Sequence, residues 1–342
     1  MPDARTDHLT VVTTAPQTIS LTPSVTDDPP PHVAEELTAL RAALDETIPA
    51  KVLDRNLLIG TWNLRAFGGL TDEWDSGPNA SPKRDLRSLR SIAEILSRFD
   101  VVALQEVKGN IKALRHTMKV LGPDWGLILT DVTRGNPGND ERMAFLFDTR
   151  RVKPSGLACE LVVPKEWLDR VGPAALTEQF ARTPYAASFI SAKKTFILVT
   201  LHVLFGDKPA DRLGELSAIA EWFAGWAKEE ADWNHRLVAL GDFNIDRTGD
   251  PSFDAFTSTG LTVPPELHDV PRTIFLDGDE GKHYDQIAWF DNDEDVADAP
   301  IYSGNAGTFD FTDVVMPRLS NTELSWRLSD HLPLWTEFTV RS

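Results

Sequence analysis

A single cysteine, Cys159, excludes any intrachain disulfide, so nothing in the chain calls for an oxidising compartment. Residues 1–31 contain no apolar core of signal-peptide length, and no later segment approaches the roughly 18 apolar residues of a membrane span. Net positive charge is also missing. With 34 Lys and Arg against 52 Asp and Glu the balance is −18, which argues against a protein that holds nucleic acid by broad phosphate neutralisation. The acidity does not exclude a nuclease, because carboxylates that hold a divalent cation are themselves acidic and the cation brings positive charge to the site. Zinc-type Cys spacing, HExxH, GxSxG, GxxxxGK[ST] and GxGxxG are all absent, which removes serine hydrolases, P-loop enzymes and dinucleotide oxidoreductases as strong candidates. No internal repeat of ~20 to 50 residues is visible, so a solenoid or propeller is excluded. The expectation is a soluble, cytoplasmic monomer without a membrane span, export by a route that leaves no cleavable signal remaining open.

What is present is a chain of 342 residues, 42% hydrophobic, long enough for one large or two ordinary domains with a substantial core. Residues 1–31 are rich in Thr, Pro and Asp without periodicity and read as a flexible tail. Val33, Leu37, Leu40 and Leu44 fall at helical spacing, so 33–47 is expected to be an amphipathic helix docked on the domain behind it. The division expected is a tail at 1–31, a helix and linker at 32–55, and a single domain at 56–342. Strands are expected at 57–63, 101–104, 126–130, 143–148, 236–240, 287–290 and 334–340, with a hairpin of 185–191 and 195–201 turned at Ala192 and Lys193. Helices are expected at 84–99, opened by Ser81 and Pro82, at 111–120 and at 211–228. Mixed strands alternating with helices point to a layered α/β sandwich of two sheets between helices. The acidic run 291–298, DNDEDVAD, reads as a solvated loop, since it lacks the glycine and terminal glutamate of a calcium-binding EF-hand.

Polar residues recur where apolar runs stop or start: Asn63, Gln105 with Glu106, His202, Asp242 with Asn244, Asp285, and Asp330 with His331. In HRLVALGDFNID (235–246), Gly241 is expected to end a strand and leave Asp242 and Asn244 on the following loop, although Asp and Asn after Gly are also ordinary turn formers. Half-buried ionisable groups need partners, and carboxylates converging with an amide suit a hard cation that prefers oxygen ligands. Two histidines beside such a site can move protons or bind a phosphate oxygen as imidazolium. The chemistry that remains is Mg²⁺-type catalysis on a phosphate.

The segments TWNLRAFG (61–68), VVALQEV (101–107), LHVLFGD (201–207), LGDFN (240–244), YDQI (284–287) and SDHLPL (329–334) resemble, in order, the motif set of the endonuclease/exonuclease/phosphatase superfamily, most closely its deoxyribonuclease I-like metal-dependent nucleases. The similarity spans 59–340. It implies a four-layered α/β sandwich, two mixed sheets packed face to face and flanked by helices, with the site at one edge. It implies a nuclease that hydrolyses DNA or RNA with Mg²⁺, Mn²⁺ serving as substitute, and binds nucleic acid without sequence specificity. By matched position, Glu106, Asn63 and Asp330 would surround the metal, while Asp242 and Asn244 would hold phosphate, metal and attacking water. His202 matches the acid–base histidine and Glu141 the carboxylate that orients it; His331 would face the phosphate with Asp285 behind it, and Arg182 would grip a phosphate. Lys108, just past Glu106, is expected to be an ordinary surface lysine.

The pattern departs from that branch in lacking its cysteine pair, which leaves open whether the branch's Ca²⁺-dependent rigidity carries over. Asn139 stands where an aromatic side chain would pack into the minor groove, so the loop 133–140 is the alternative source of substrate contacts. Inositol phosphatase-like and exonuclease III-like branches match less well around Gly241 and His202. Sphingomyelinase-like and deadenylase-like enzymes share His202 and SDH, so a small or lipid-borne phosphate stays open as substrate, as does an inactive binding protein on the same fold.

Overall fold

The computed structural model describes residues 22–133, 139–162, 180, 182–231, 236–275, 282–291 and 298–340. The tail at 1–21, the loop residues 134–138, His235 and the acidic run at 292–297 lie outside the described residues. The strands are β1 (Asn56–Phe67), β2 (Val101–Lys108), β3 (Trp125–Leu129), β4 (Glu141–Asp148), β5 (Lys153–Glu160), β6 (Tyr185–Ser191), β7 (Lys194–His202), β8 (Arg236–Asp242), β9 (Leu261–Thr262), β10 (Asp285–Phe290), β11 (Ile301–Thr308) and β12 (Leu334–Thr339). The helices are α1 (Pro31–Thr47), α2 (Leu86–Leu96), α3 (Lys112–Leu121), α4 (Leu213–Ala231), α5 (Pro251–Thr257) and α6 (Asn321–Ser325). None is long and apolar enough to cross a membrane.

Two six-stranded sheets run β11-β12-β1-β2-β4-β3 and β5-β6-β7-β8-β10-β9. Each is antiparallel except at its centre, where β1 runs parallel to β2 and β7 to β8. A parallel pair needs a crossover; α2 supplies it in the first sheet and α4 in the second. The expected sandwich of two mixed sheets with flanking helices is therefore the fold found.

Period-two alternation sorts the side chains into layers. Leu57 and Ile59 of β1 join Val101 and Ala103 of β2 in the core that the second sheet covers with Phe189, Phe196 and Leu198. Leu58, Trp62 and Leu64 face the other way, into a separate core with α1 and α2. Along the inner faces the residues become polar toward one edge: Thr61, Gln105 and Thr200 are fully buried, and the Gln105 amide donates to both hydroxyls, at 3.2 and 3.0 Å. Beyond them lies the site.

Helix α1 buries Val33, Leu37, Leu40 and Leu44, the residues the spacing predicted. Its ion pairs to α2, Arg41 to Glu94 and Glu36 to Arg87, are partly exposed and add little beside that apolar burial. Helix α2 begins later than expected, because Asp85 caps it by accepting from the Ser88 amide while Arg84 turns into the interior. The hairpin β6–β7 turns at Ala192 and Lys193 as expected, both with positive φ. Strands β5 and β11 went unread because each is a mostly exposed sheet edge without an apolar face.

Candidate active site

Three strands of the second sheet end in a row. His202 of β7 is in register with Asp242 of β8, and Asp242 with Asp285 of β10. The three side chains therefore leave the sheet on one face, toward the first sheet. Gly241 makes this possible: its φ is +140°, and a Cβ there would lie 2.1 Å from the Leu201 carbonyl oxygen. The expectation that Gly241 ends the strand is thus corrected. β8 runs through Asp242, and the glycine serves close approach of β7 to β8. Asn244 does sit on the loop, at φ 51°, its amide nitrogen donating to Asp242 Oδ1 at 2.9 Å and its side chain to the Val203 carbonyl at 2.7 Å.

The first sheet reaches the same place by irregularity. Alternation would send Glu106 to the helix side, opposite Gln105. Instead the ladder slips between Leu104 and Val107, Glu106 takes φ 60°, and its carboxylate accepts from Asn63 Nδ2 at 3.2 Å and from the Ala66 amide at 2.8 Å. Ala66 is itself at φ 48°. Asn63 spans the two sheets, donating also to Asp242 Oδ2 at 2.9 Å. Ser329 ties in the last segment by donating to the Asn63 carbonyl at 2.6 Å, and the neighbouring Asp330 pairs with Arg65 at 3.4 Å.

Charge is distributed unevenly over these groups. Burial alone would raise Glu141, but His202 3.3 Å away, Arg182 at 2.7 Å and Lys108 at 2.7 Å outweigh it and hold the carboxyl down at about 2. Burial likewise works against the charge of Asp242, and His331, His202, the Asn63 side chain and the Asn244 amide overcome it, so this carboxyl is lowered. For His331, burial favours the neutral ring, and the facing Asp285, 2.6 Å from Nδ1, with Asp242 and Asp330 behind it, raises the imidazole to about 10. Burial pulls Asp285 up to about 6 against the histidine's charge, and the two groups lie 2.6 Å apart. The remote nitrogens of both histidines point back to Asp242 Oδ2, at 3.6 Å from His202 and 3.9 Å from His331.

All ten sequence-derived site residues (Asn63, Glu106, Glu141, Arg182, His202, Asp242, Asn244, Asp285, Asp330 and His331) fall in one network of contacts along this edge. Arg182 is held there by Glu141 through Nε. Lys108, expected to be an ordinary surface lysine, belongs to the same cluster, bonding Glu141 and the Asn139 carbonyl. Three buried arginines were not anticipated. Arg84 donates to the carbonyls of Arg65, Ala66, Arg327 and Leu328, joining the two segments that carry Asn63 and Asp330. Arg272 donates to the carbonyls of Asp285, Val270 and Leu267, and Arg212 to those of Phe205 and Asn244. Burial lowers Arg84 and Arg272 to about 10, still charged at neutrality. Their sequence neighbourhoods offer no signal, because a guanidinium fork is satisfied here by backbone that only the fold assembles.

The donors suit a hard cation. Asn63 Oδ1 and Asp330 Oδ1 are buried without a hydrogen-bond partner, and orphaned oxygens of this kind call for a donor or an ion. Among the described residues no three His, Cys, Asp or Glu side chains form a ready-made metal cluster.

This architecture and edge define an α/β-sandwich hydrolase site of the phosphate-processing kind, and the chain belongs to the Endonuclease/Exonuclease/phosphatase family, whose model matches residues 60–331. A deoxyribonuclease of Thioalkalivibrio sp. (strain K90mix) is 26% identical over 296 residues, which are 83% of this chain and 71% of that protein. Among solved structures, a mannosyl-6-phosphatase of Bacteroides thetaiotaomicron VPI-5482 is 17% identical with a TM-score of 0.52, covering 82% of this chain and 99% of the other. D. rerio TDP2 complexed with a single-strand DNA product is 14% identical, also at 0.52, covering 83% and 98%. At these identities the structural likenesses establish the fold.

Proposed function

We propose that the chain is a Mg²⁺-dependent phosphodiesterase that hydrolyses DNA or RNA by in-line attack of water on phosphorus, with residues 56–342 as its catalytic domain. The carrying observation is Asp242, lowered despite burial and faced by two histidines that each have a second carboxylate, beside two unpartnered amide and carboxylate oxygens. The resemblance to a deoxyribonuclease supports a nucleic-acid substrate. Glu106, Asn63 and Asp330 would hold the cation, which when bound polarises the phosphoryl oxygens and stabilises the departing one.

Asp242, kept ionised, orients the attacking water and accepts its proton, and Asn244 fixes the loop that places that carboxylate. His331, protonated at neutrality, presents Nε2–H to a phosphate oxygen while Asp285 holds Nδ1. His202 moves a proton at Nε2, its ring set by Glu141 behind Nδ1. Arg182, tethered to Glu141, is placed to grip a backbone phosphate.

The test incubates the purified protein with supercoiled plasmid, single-stranded RNA and a small bis-phosphodiester, with Mg²⁺ or Mn²⁺ and then with EDTA. Polymer cleavage that disappears in EDTA, and in His202→Ala and Asp242→Ala, is expected. Intact polymers beside a hydrolysed small ester would make the nuclease reading wrong.

A further inference from the structure

Large exposed rings beside a phosphate site need a reason, because leaving apolar surface in water forgoes its burial energy. Phe205, three residues beyond His202, is 56% exposed, and Trp326, four before Asp330, is 46% exposed. Neither ring is loose. Phe205 lies over the guanidinium of Arg212 at 4.6 Å, and that arginine is itself buried and bonded to the Phe205 and Asn244 carbonyls. Its edge meets Tyr284 at 6.2 Å, and Tyr284 in turn packs on the His331 ring at 5.8 Å. Trp326 stacks on the guanidinium of Arg65 at 3.9 Å, and Arg65 is pinned by Asp330 at 3.4 Å and by the Ser325 hydroxyl at 2.8 Å. Each exposed ring is therefore backed by a cation and connected through one residue to a group of the site: Asn244 and His331 for one, Asp330 for the other.

Resting on the nuclease reading, we propose that Phe205 with Tyr284 and Trp326 with Arg65 are two stacking platforms for unpaired nucleobases flanking the scissile phosphate, which makes single-stranded nucleic acid the substrate of this site. A flat apolar ring backed by a guanidinium accepts the π-face of any base, so the contact grips a strand without reading its sequence. In an intact duplex those faces are stacked on one another and only base edges and the backbone are presented, so the platforms have nothing to hold. The charge balance points the same way. At −18 the chain has little capacity to gain affinity by neutralising many phosphates, and stacking is the source of affinity that does not require it.

The test measures binding in EDTA, by tryptophan fluorescence and anisotropy, of a labelled oligothymidylate and of the same backbone carrying abasic spacers, followed by cleavage of both with Mg²⁺. Wild type is expected to bind the oligothymidylate at least about tenfold more tightly than the abasic strand, with Trp emission quenched. Phe205→Ala and Trp326→Ala are each expected to reduce that preference about tenfold, through KM more than kcat, and Trp326→Phe to restore most of it. Affinity for the oligothymidylate is expected to change by less than about tenfold between ~50 and ~200 mM salt, where multi-phosphate binders lose far more. Cleavage of both strands at equal KM in wild type, or an unchanged preference in both alanine variants, overturns the platforms and leaves the nuclease reading standing. A wild-type protein that neither binds nor cuts any strand overturns both.

Discussion

Each sheet has one parallel pair at its centre, and both pairs end at the same edge, but the two ends are finished differently. In the second sheet the ladder stays regular to the last residue, so that register alone aligns His202, Asp242 and Asp285. In the first, both β1 and β2 break step, and Ala66 and Glu106 take positive φ, a conformation that costs a non-glycine residue about 1–3 kcal/mol. The regular edge carries histidines and carboxylates that face one another, with His202 Nδ1 and Asp285 Oδ1 left without a hydrogen bond. The irregular edge carries oxygens that have no partner in the protein. Regular pairing suits proton handling, where each ring must be oriented by a neighbour. Strain at Ala66 and Glu106 turns the Glu106 carboxylate inward, where the Asn63 side chain and the Ala66 amide bond it.

The largest effect is expected where the two edges meet. Asp242 receives Asn63 from the first sheet and faces His202 of its own sheet and His331 of the segment leading into β12, so Asp242→Ala should lower kcat by about 10³-fold or more in a cleavage assay. A loss below about tenfold would place the general base elsewhere.

Next come the buried arginines, one for each side of the comparison. Arg84 secures the irregular edge through four carbonyls and Arg272 the regular one through three. Replacing either by Met leaves those buried acceptors bare and should cost about 3–5 kcal/mol in urea unfolding. Arg84→Lys should recover less than half, since an ammonium cannot reproduce the fork. If the account of strain is right, Arg84→Met also weakens cation binding and Arg272→Met does not.

The smallest effect is a matter of pH. Glu141 is held at about 2 in the folded chain against an ordinary 4.5, so its contribution is complete above ~4.5 and is lost as pH falls toward 2. Acid unfolding of Glu141→Gln should therefore show a shallower slope in that window than wild type, with the lost stabilisation already complete at neutrality and vanishing as pH falls toward 2.

The regular edge was the more legible in sequence, and the reason is physical. A strand that keeps its period announces itself, and His202, Asp242 and Asp285 each stand at one end of an apolar run. Only the role of Gly241 was misread, because a glycine that ends a strand and one that lets two strands approach look alike in one dimension. At the irregular edge Glu106 was read in the same way, with Gln105, as the polar end of an apolar run, but its inward orientation depends on a bulge that alternation would deny. The arginine staples were invisible because a guanidinium satisfied by backbone carbonyls leaves no pattern of residue types, and for Arg84 those carbonyls lie as far off as Leu328. Two of the four outer strands, β5 and β11, lacked the apolar face that period-two reading needs.

The division of labour between the edges is tested most directly by calorimetric titration of Mg²⁺ or Mn²⁺ into wild type, Glu106→Gln and His202→Ala, with turnover measured on the same samples. Glu106→Gln is expected to weaken cation binding by at least about tenfold, whereas His202→Ala should leave the binding isotherm near that of wild type and lower kcat by about 10²–10⁴-fold. Equal loss of cation affinity in both variants, or a wild-type protein that cleaves its substrate with no measurable cation binding, would contradict it.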